Sequence, residues 1–98
     1  MSQTFIVKKI ELIKILSLFN ISDKNILEII SQLDKMHKHI NAVTFIDLLQ
    51  KYGLNYNQIR IILRRIGVSD VDISNMITLL EEEKIKMLYG NIIDIKVE

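Results

Sequence analysis

The sequence predicts a mainly α, compact helical domain of about five helices, finished by a C-terminal β-hairpin. Three observations carry that prediction. Apolar residues recur at helical spacing in five stretches, and Gly53, Gly67, Ser22 and Ser69 punctuate those stretches where helices stop and start. After Glu83 the apolar period changes from helical to two.

Ninety-eight residues fit one domain, 1–98, and a hydrophobic content of 49% is ample for a single core. Residues 1–44 read as an N-terminal helical pair and 45–97 as a second portion. The first helix is expected over 6–19, where Ile6, Ile10, Ile13 and Leu16 share a face that Val7, Leu12, Ile15 and Phe19 widen. Asn20-Ile21-Ser22 reads as a turn, and the Ser22 hydroxyl can accept an orphan N–H at the start of the next helix. That second helix, 23–36, is expected to bury Ile26, Leu27, Ile29, Ile30 and Leu33, with His37 to Asn41 as a connector.

A third helix is expected over 43–52, stopped by Gly53, which is at ease in the left-handed conformation. Tyr56 to Ile66 is the fourth, stopped by Gly67, and Ser69 caps the fifth, 70–83. Then Ile85, Met87 and Tyr89 alternate up to Gly90-Asn91, and Ile93, Ile95 and Val97 alternate after it. Glycine first in a two-residue loop suits a type II′ hairpin turn.

The chain also echoes itself at an offset of 47. Residues 15–33 set against 62–80 match Ile15 with Ile62, Leu16 with Leu63, Ser22 with Ser69, Asp23 with Asp70, Ile26 with Ile73, Ile30 with Ile77 and Leu33 with Leu80. Either a duplication or two helix hairpins under similar constraints would produce this.

Composition excludes several classes. Without cysteine there are no disulfides or thiolate metal sites. The apolar run Ile59–Ile66 is broken by three arginines, far from the ~20 apolar residues of a membrane helix, and Met1 to Phe5 lacks the character of a signal peptide. A cytoplasmic protein is expected. The net charge of +1 and pI near 8.0 fall below the strongly basic balance of dedicated DNA binders, so any nucleic-acid contact must rest on local charge.

Local charge is uneven. Helix 70–83 carries Asp70, Asp72, Glu81, Glu82 and Glu83 with no basic residue. Asp70 and Asp72 suit the positive end of the helix dipole, whereas the three glutamates oppose its negative end and point to a solvated face or a docking surface. Helix 56–66 carries Arg60, Arg64 and Arg65, and Lys84, Lys86 and Lys96 decorate the hairpin. Arg60 and Arg64 are one turn apart, able to clamp phosphates, a partner's carboxylates, or Glu81–Glu83 of the same chain.

Residues 45–97 resemble the winged-helix branch of the helix-turn-helix superfamily. The resemblance lies in Phe45–Tyr52 as first helix, Tyr56–Ile66 as second, Gly67-Val68-Ser69 as the tight turn and Asp70–Glu83 as third, through "ILRRIGVSDVDISNMITLLEEEKIKML". Leu63 stands where the family usually has a small residue, and Lys84 where a glycine often follows the third helix. The resemblance implies that hairpin 84–97 is the wing and that the third helix reads the DNA major groove. An acidic third helix would be repelled by phosphate, so the shape suggests DNA while the charge favours protein.

Two metal patterns are present in part. Asp70-x-Asp72-x-Ser74 with Glu81 resembles an EF-hand calcium loop, and "HINAVTFIDLLQKYG" resembles the exit helix of such a hand, although Ile73 and Asn75 depart from the loop pattern. His37-x-His39, near Asp34, is the one metal-like histidine pair.

The expectation is a non-enzymatic winged-helix-type module without cofactor or membrane association. It would be an accessory subunit of a DNA replication or transcription complex, binding a protein partner through Arg60, Arg64, Arg65, Asp70, Asp72, Glu81, Glu82 and Glu83. One alternative is a DNA-binding regulator, a homodimer, using Arg60, Arg64, Arg65, Lys84, Lys86 and Lys96. Another is a degenerate EF-hand-like lobe clasping a partner helix, which requires that 84–97 form no hairpin.

Overall fold

The computed structural model describes residues 3–36, 39–81 and 93–98. In chain order they form β1 (Gln3–Val7), α1 (Lys9–Ser17), α2 (Asp23–Lys35), β2 (Ile40–Asn41), α3 (Ala42–Lys51), α4 (Tyr56–Ile66), α5 (Asp70–Glu81) and β3 (Ile93–Val97). The predominantly helical class agrees with the sequence expectation. The sheet does not.

Four helices start where a short polar side chain can take an orphan N–H. Ser22 accepts from the Asn25 amide at 3.2 Å, Asn41 from Val43 at 2.8 Å, and Ser69 from Asp72 at 3.2 Å. Asn55 and Gln58 satisfy each other's backbone amides at 2.9 Å, a full capping box.

Helices α3 and α4 end alike. Gly53 (φ 93°) and Gly67 (φ 117°) take left-handed conformations. Beyond them the Leu54 amide returns to the Leu49 carbonyl at 3.1 Å and the Val68 amide to the Leu63 carbonyl at 3.0 Å. Both apolar pairs across these turns are buried, completing two Schellman motifs.

The core draws on every helix. Leu12 and Leu16, Ile29 and Leu33, Phe45 and Leu49, Ile62 and Leu63, and Ile73 and Met76 are almost wholly removed from water. Ile93 and Ile95 of β3 join them from the sheet. The two halves of the internal echo agree in part: Ile15, Ile62, Leu16, Leu63, Ile26 and Ile73 are all buried, and Ser22 and Ser69 cap their helices with the same bond, while Ile30 and Leu80 are less buried than their counterparts Ile77 and Leu33.

Three expectations are corrected. Residues 6–19 are not one helix, because Gln3–Val7 is a strand and extended Lys8 separates it from α1. Ile6 and Ile10, expected in the core, are exposed, as is Leu27 of α2. Apolar residues on all sides of 5–16 fit either period, and what decides between them is a distant partner: Gln3 pairs in parallel with Ile93. Ile40–Asn41, expected as connector, is the short strand β2.

The strand expected at 93–97 is present, but its neighbours differ. β3 is central in the order β1-β3-β2, parallel to β1 along its whole length and antiparallel to β2 at Ile40↔Ile95 and Asn41↔Asp94. Among the described residues it is therefore flanked by segments from early in the chain. The expected first leg and its Gly90-Asn91 turn lie outside the described residues. Backbone bonds carry the sheet into α1, from the Glu98 amide to the Val7 carbonyl at 2.8 Å and from the Lys9 amide to the Glu98 carbonyl at 2.6 Å. Among the described residues no helix is long and apolar enough to cross a membrane.

Candidate interaction surface

Helix α4 organises the charged surface. Ile59, Ile62 and Leu63 point into the core, which leaves two flanks. On one flank Arg60 and Arg64 face α5, as their i,i+4 spacing places them together. Arg60 Nη1 donates to Ser74 Oγ at 2.9 Å in a partly buried contact, and Arg64 Nε lies 3.1 Å from Asp70 Oδ1. Both Arg64 and Asp70 are well exposed, so their pair is worth at most about 1 kcal/mol, and the Arg60 bond contributes a similar amount. Their joint effect is to fasten α4 to α5 across the Gly67 turn.

Asp70 and Asp72 occupy the first turn of α5, where the helix dipole favours them. Glu81 is exposed at the other end of that helix. Among the described residues Arg64 pairs with Asp70 at the start of α5 and Arg60 with Ser74, and the alternative pairing with Glu81 is not formed. Glu82, Glu83, Lys84 and Lys86 lie outside the described residues. Lys96 pairs with Glu98 at 3.1 Å.

The calcium-loop reading of Asp70-x-Asp72-x-Ser74 is corrected. These residues are helical from Asp70 onward, and a helix cannot wrap its side chains around one ion as a twelve-residue loop does. Of the histidine pair, His37 lies outside the described residues and His39 is exposed; nearby Asp34 pairs with Lys9 of α1. Among the described residues no three metal-capable side chains cluster. Between α2 and α3, the Tyr52 hydroxyl is held above its ordinary range by lost hydration first and by the Glu28 carboxylate second.

The other flank of α4 carries a surface the sequence reading passed over. Arg65 lines a shallow groove with Glu11, Lys14 and Ile15 of α1, and it also borders an adjoining hollow with Ile61 and Arg64. Ile61 is 43% exposed, and Leu18, one turn beyond Lys14 on α1, is 66% exposed. The spacing Glu11, Lys14, Leu18 does mark one helical stripe, but nothing local says which helix stands opposite it. Of the expected binding residues, then, Arg60, Arg64 and Asp70 are joined at the α4–α5 seam, Asp72 stands in the first turn of α5, and Arg65 belongs to the α1–α4 groove.

Comparison with protein-family models, with curated proteins and with solved structures found no match.

Proposed function

We propose that this chain is a non-enzymatic module that binds a protein partner. The supporting observation is the use made of Arg60 and Arg64. These two side chains, best spaced to grip a phosphate backbone, are turned onto Ser74 and Asp70, where they serve helix packing. Lysine and arginine contacts to phosphate supply most of the affinity of DNA binders, and α5, the expected reading helix, offers phosphate an acidic first turn instead. An accessory place in a DNA replication or transcription complex stays within the proposal. It rests on the helix-turn-helix shape of α4–α5 alone.

One observation favours a hand-like build for the module over a winged one. Helix α2, strand β2 and helix α3 follow one another in the chain, and β2 pairs with β3. A hand-like lobe requires that 84–97 form no hairpin, and backbone chemical shifts of 84–92 test that. Either build would present a surface for a protein partner.

The test is recovery of the full chain from its own cells with and without nuclease. A subunit retained in fixed ratio after nuclease supports the proposal. Recovery lost on nuclease treatment, together with salt-sensitive binding of duplex DNA by the purified chain, refutes it.

A further inference from the structure

We infer that the α1–α4 groove docks an amphipathic partner helix whose flanking residues are acidic, with one basic side chain set against Glu11. This names the partner chemistry of the module proposed above and rests on that reading.

Three features of the groove lead there. Its shape is an open trough between two helices, with Ile15 at its base and Ile61 on the α4 side. Its lining runs over one turn of α1, from Glu11 to Ile15, with Arg65 of α4 opposite. Apolar anchors stand near it: Ile61 of the adjoining hollow and Leu18, one turn beyond Lys14, are both large and exposed. Leu18 follows Lys14 by four positions and Glu11 by seven, so all three lie on one stripe of α1. A helix that lays its apolar stripe between such anchors is a recurring mode of recognition.

Charge sets the partner's sign. Lys14 and Arg65 face the groove, Arg64 stands on its outer rim, and Glu11 is the one acid in its lining. Among the described residues neither Lys14 nor Arg65 makes an ion pair, whereas Arg64 is already engaged by Asp70. Two cations lining the groove against one acid, beside exposed apolar side chains, favour glutamate or aspartate at the edges of a docked helix. Glu11 separates this surface from a phosphate track. A nucleic-acid backbone repeats negative charge at every step and has no cation to place against that carboxylate, nor an apolar stripe to cover Leu18 and Ile61. A peptide has both.

The experiment is an NMR titration of the labelled full chain with three probes at matched salt. They are a synthetic leucine-faced helix edged with glutamates and bearing one lysine, its charge-inverted counterpart edged with lysines and bearing one glutamate, and a short DNA duplex. The expected result is saturable shifts at Lys14, Leu18, Ile61 and Arg65 with the glutamate peptide only. K14E combined with R65E should weaken that binding roughly tenfold or more. Leu18→Ser is the second variant, since its exposed site leaves the fold intact while removing an apolar anchor, and it should weaken binding several-fold. Equal shifts from the lysine peptide, shifts that map to α5, or no binding of the glutamate peptide would overturn the inference. A nuclease-resistant partner recovered equally well by K14E/R65E would overturn the groove assignment and leave the proposed function standing. Shifts of the groove residues by the duplex, with no protein partner recovered, would overturn both.

Discussion

Replacing Ile95 with alanine tests the sheet most severely, because Ile95 is where all three strands meet. It stands level with Phe5 of β1 on one side and Ile40 of β2 on the other, and its side chain is fully buried. Ile95→Ala removes three carbons, worth about 2.4 kcal/mol of transfer free energy at ~0.8 kcal/mol each. The cavity left between Phe5, Ile40 and the helices adds to that, giving a total of roughly 3–4 kcal/mol. A domain of this size has about 5–15 kcal/mol in all, so the variant should fold but melt on the order of 12–25 °C lower. Urea unfolding followed by circular dichroism reads the change as a lower midpoint at unchanged slope. The neighbouring Lys96→Ala, on the outer face of the same strand, serves as control and should shift stability by no more than about 0.5 kcal/mol. If 93–97 were instead a leg of a peripheral wing, Ile95→Ala would cost less than about 1 kcal/mol. That result would refute the central placement of β3.

Other outcomes follow from the caps and turns. Gly53→Ala and Gly67→Ala should each cost about 1–2 kcal/mol from the left-handed backbone, and nearly equally. A Cβ at 53 meets open space, and one at 67 meets Phe5 Cδ1 at an ordinary 3.4 Å. Chemical denaturation separates this from a clash, which would make the second clearly worse. Ser22→Ala and Ser69→Ala should each lose about 1 kcal/mol, since each hydroxyl caps its helix with one 3.2 Å bond; unequal losses would undo the equivalence of the two caps. Tyr52 gives a pH dependence. Its pKa is raised from 10.0, so the folded state holds the phenol proton more tightly than the unfolded chain. Its contribution is complete below about pH 10 and is lost as pH rises further. Tyr52→Phe should abolish that part of the alkaline decline, as read by unfolding midpoints across alkaline pH.

Helices α2 to α5 were legible because their limits are written locally. Ser22, Asn55 and Ser69 each sit beside the amide they cap, and Gly53 and Gly67 supply turns no other residue adopts so readily. The sheet was not legible, because no signal near Phe5 or Ile40 names Ile95 as its neighbour. Thr4 to Val7 fits a strand or a helix equally by pattern, and only pairing with β3 decides. The same non-locality hid the candidate groove. Arg65 was found by its charge, but its company with Glu11 and Lys14 depends on how α1 packs beside α4. Arg60 and Arg64 were correctly placed on one face, yet what that face meets, Ser74 and Asp70, is a tertiary fact.

Central to the proposed function is that Arg60 and Arg64 fasten α4 to α5 and do not grip nucleic acid. Titrating a fluorescent DNA duplex with the purified chain, and with a variant carrying Arg60→Ala and Arg64→Ala, tests it at low and physiological salt. The account predicts weak binding without saturation at physiological salt, the same for both proteins, while the variant unfolds about 1–2 kcal/mol more easily. Saturable binding by the unaltered chain, steeply weakened by salt and abolished in the variant, would contradict it.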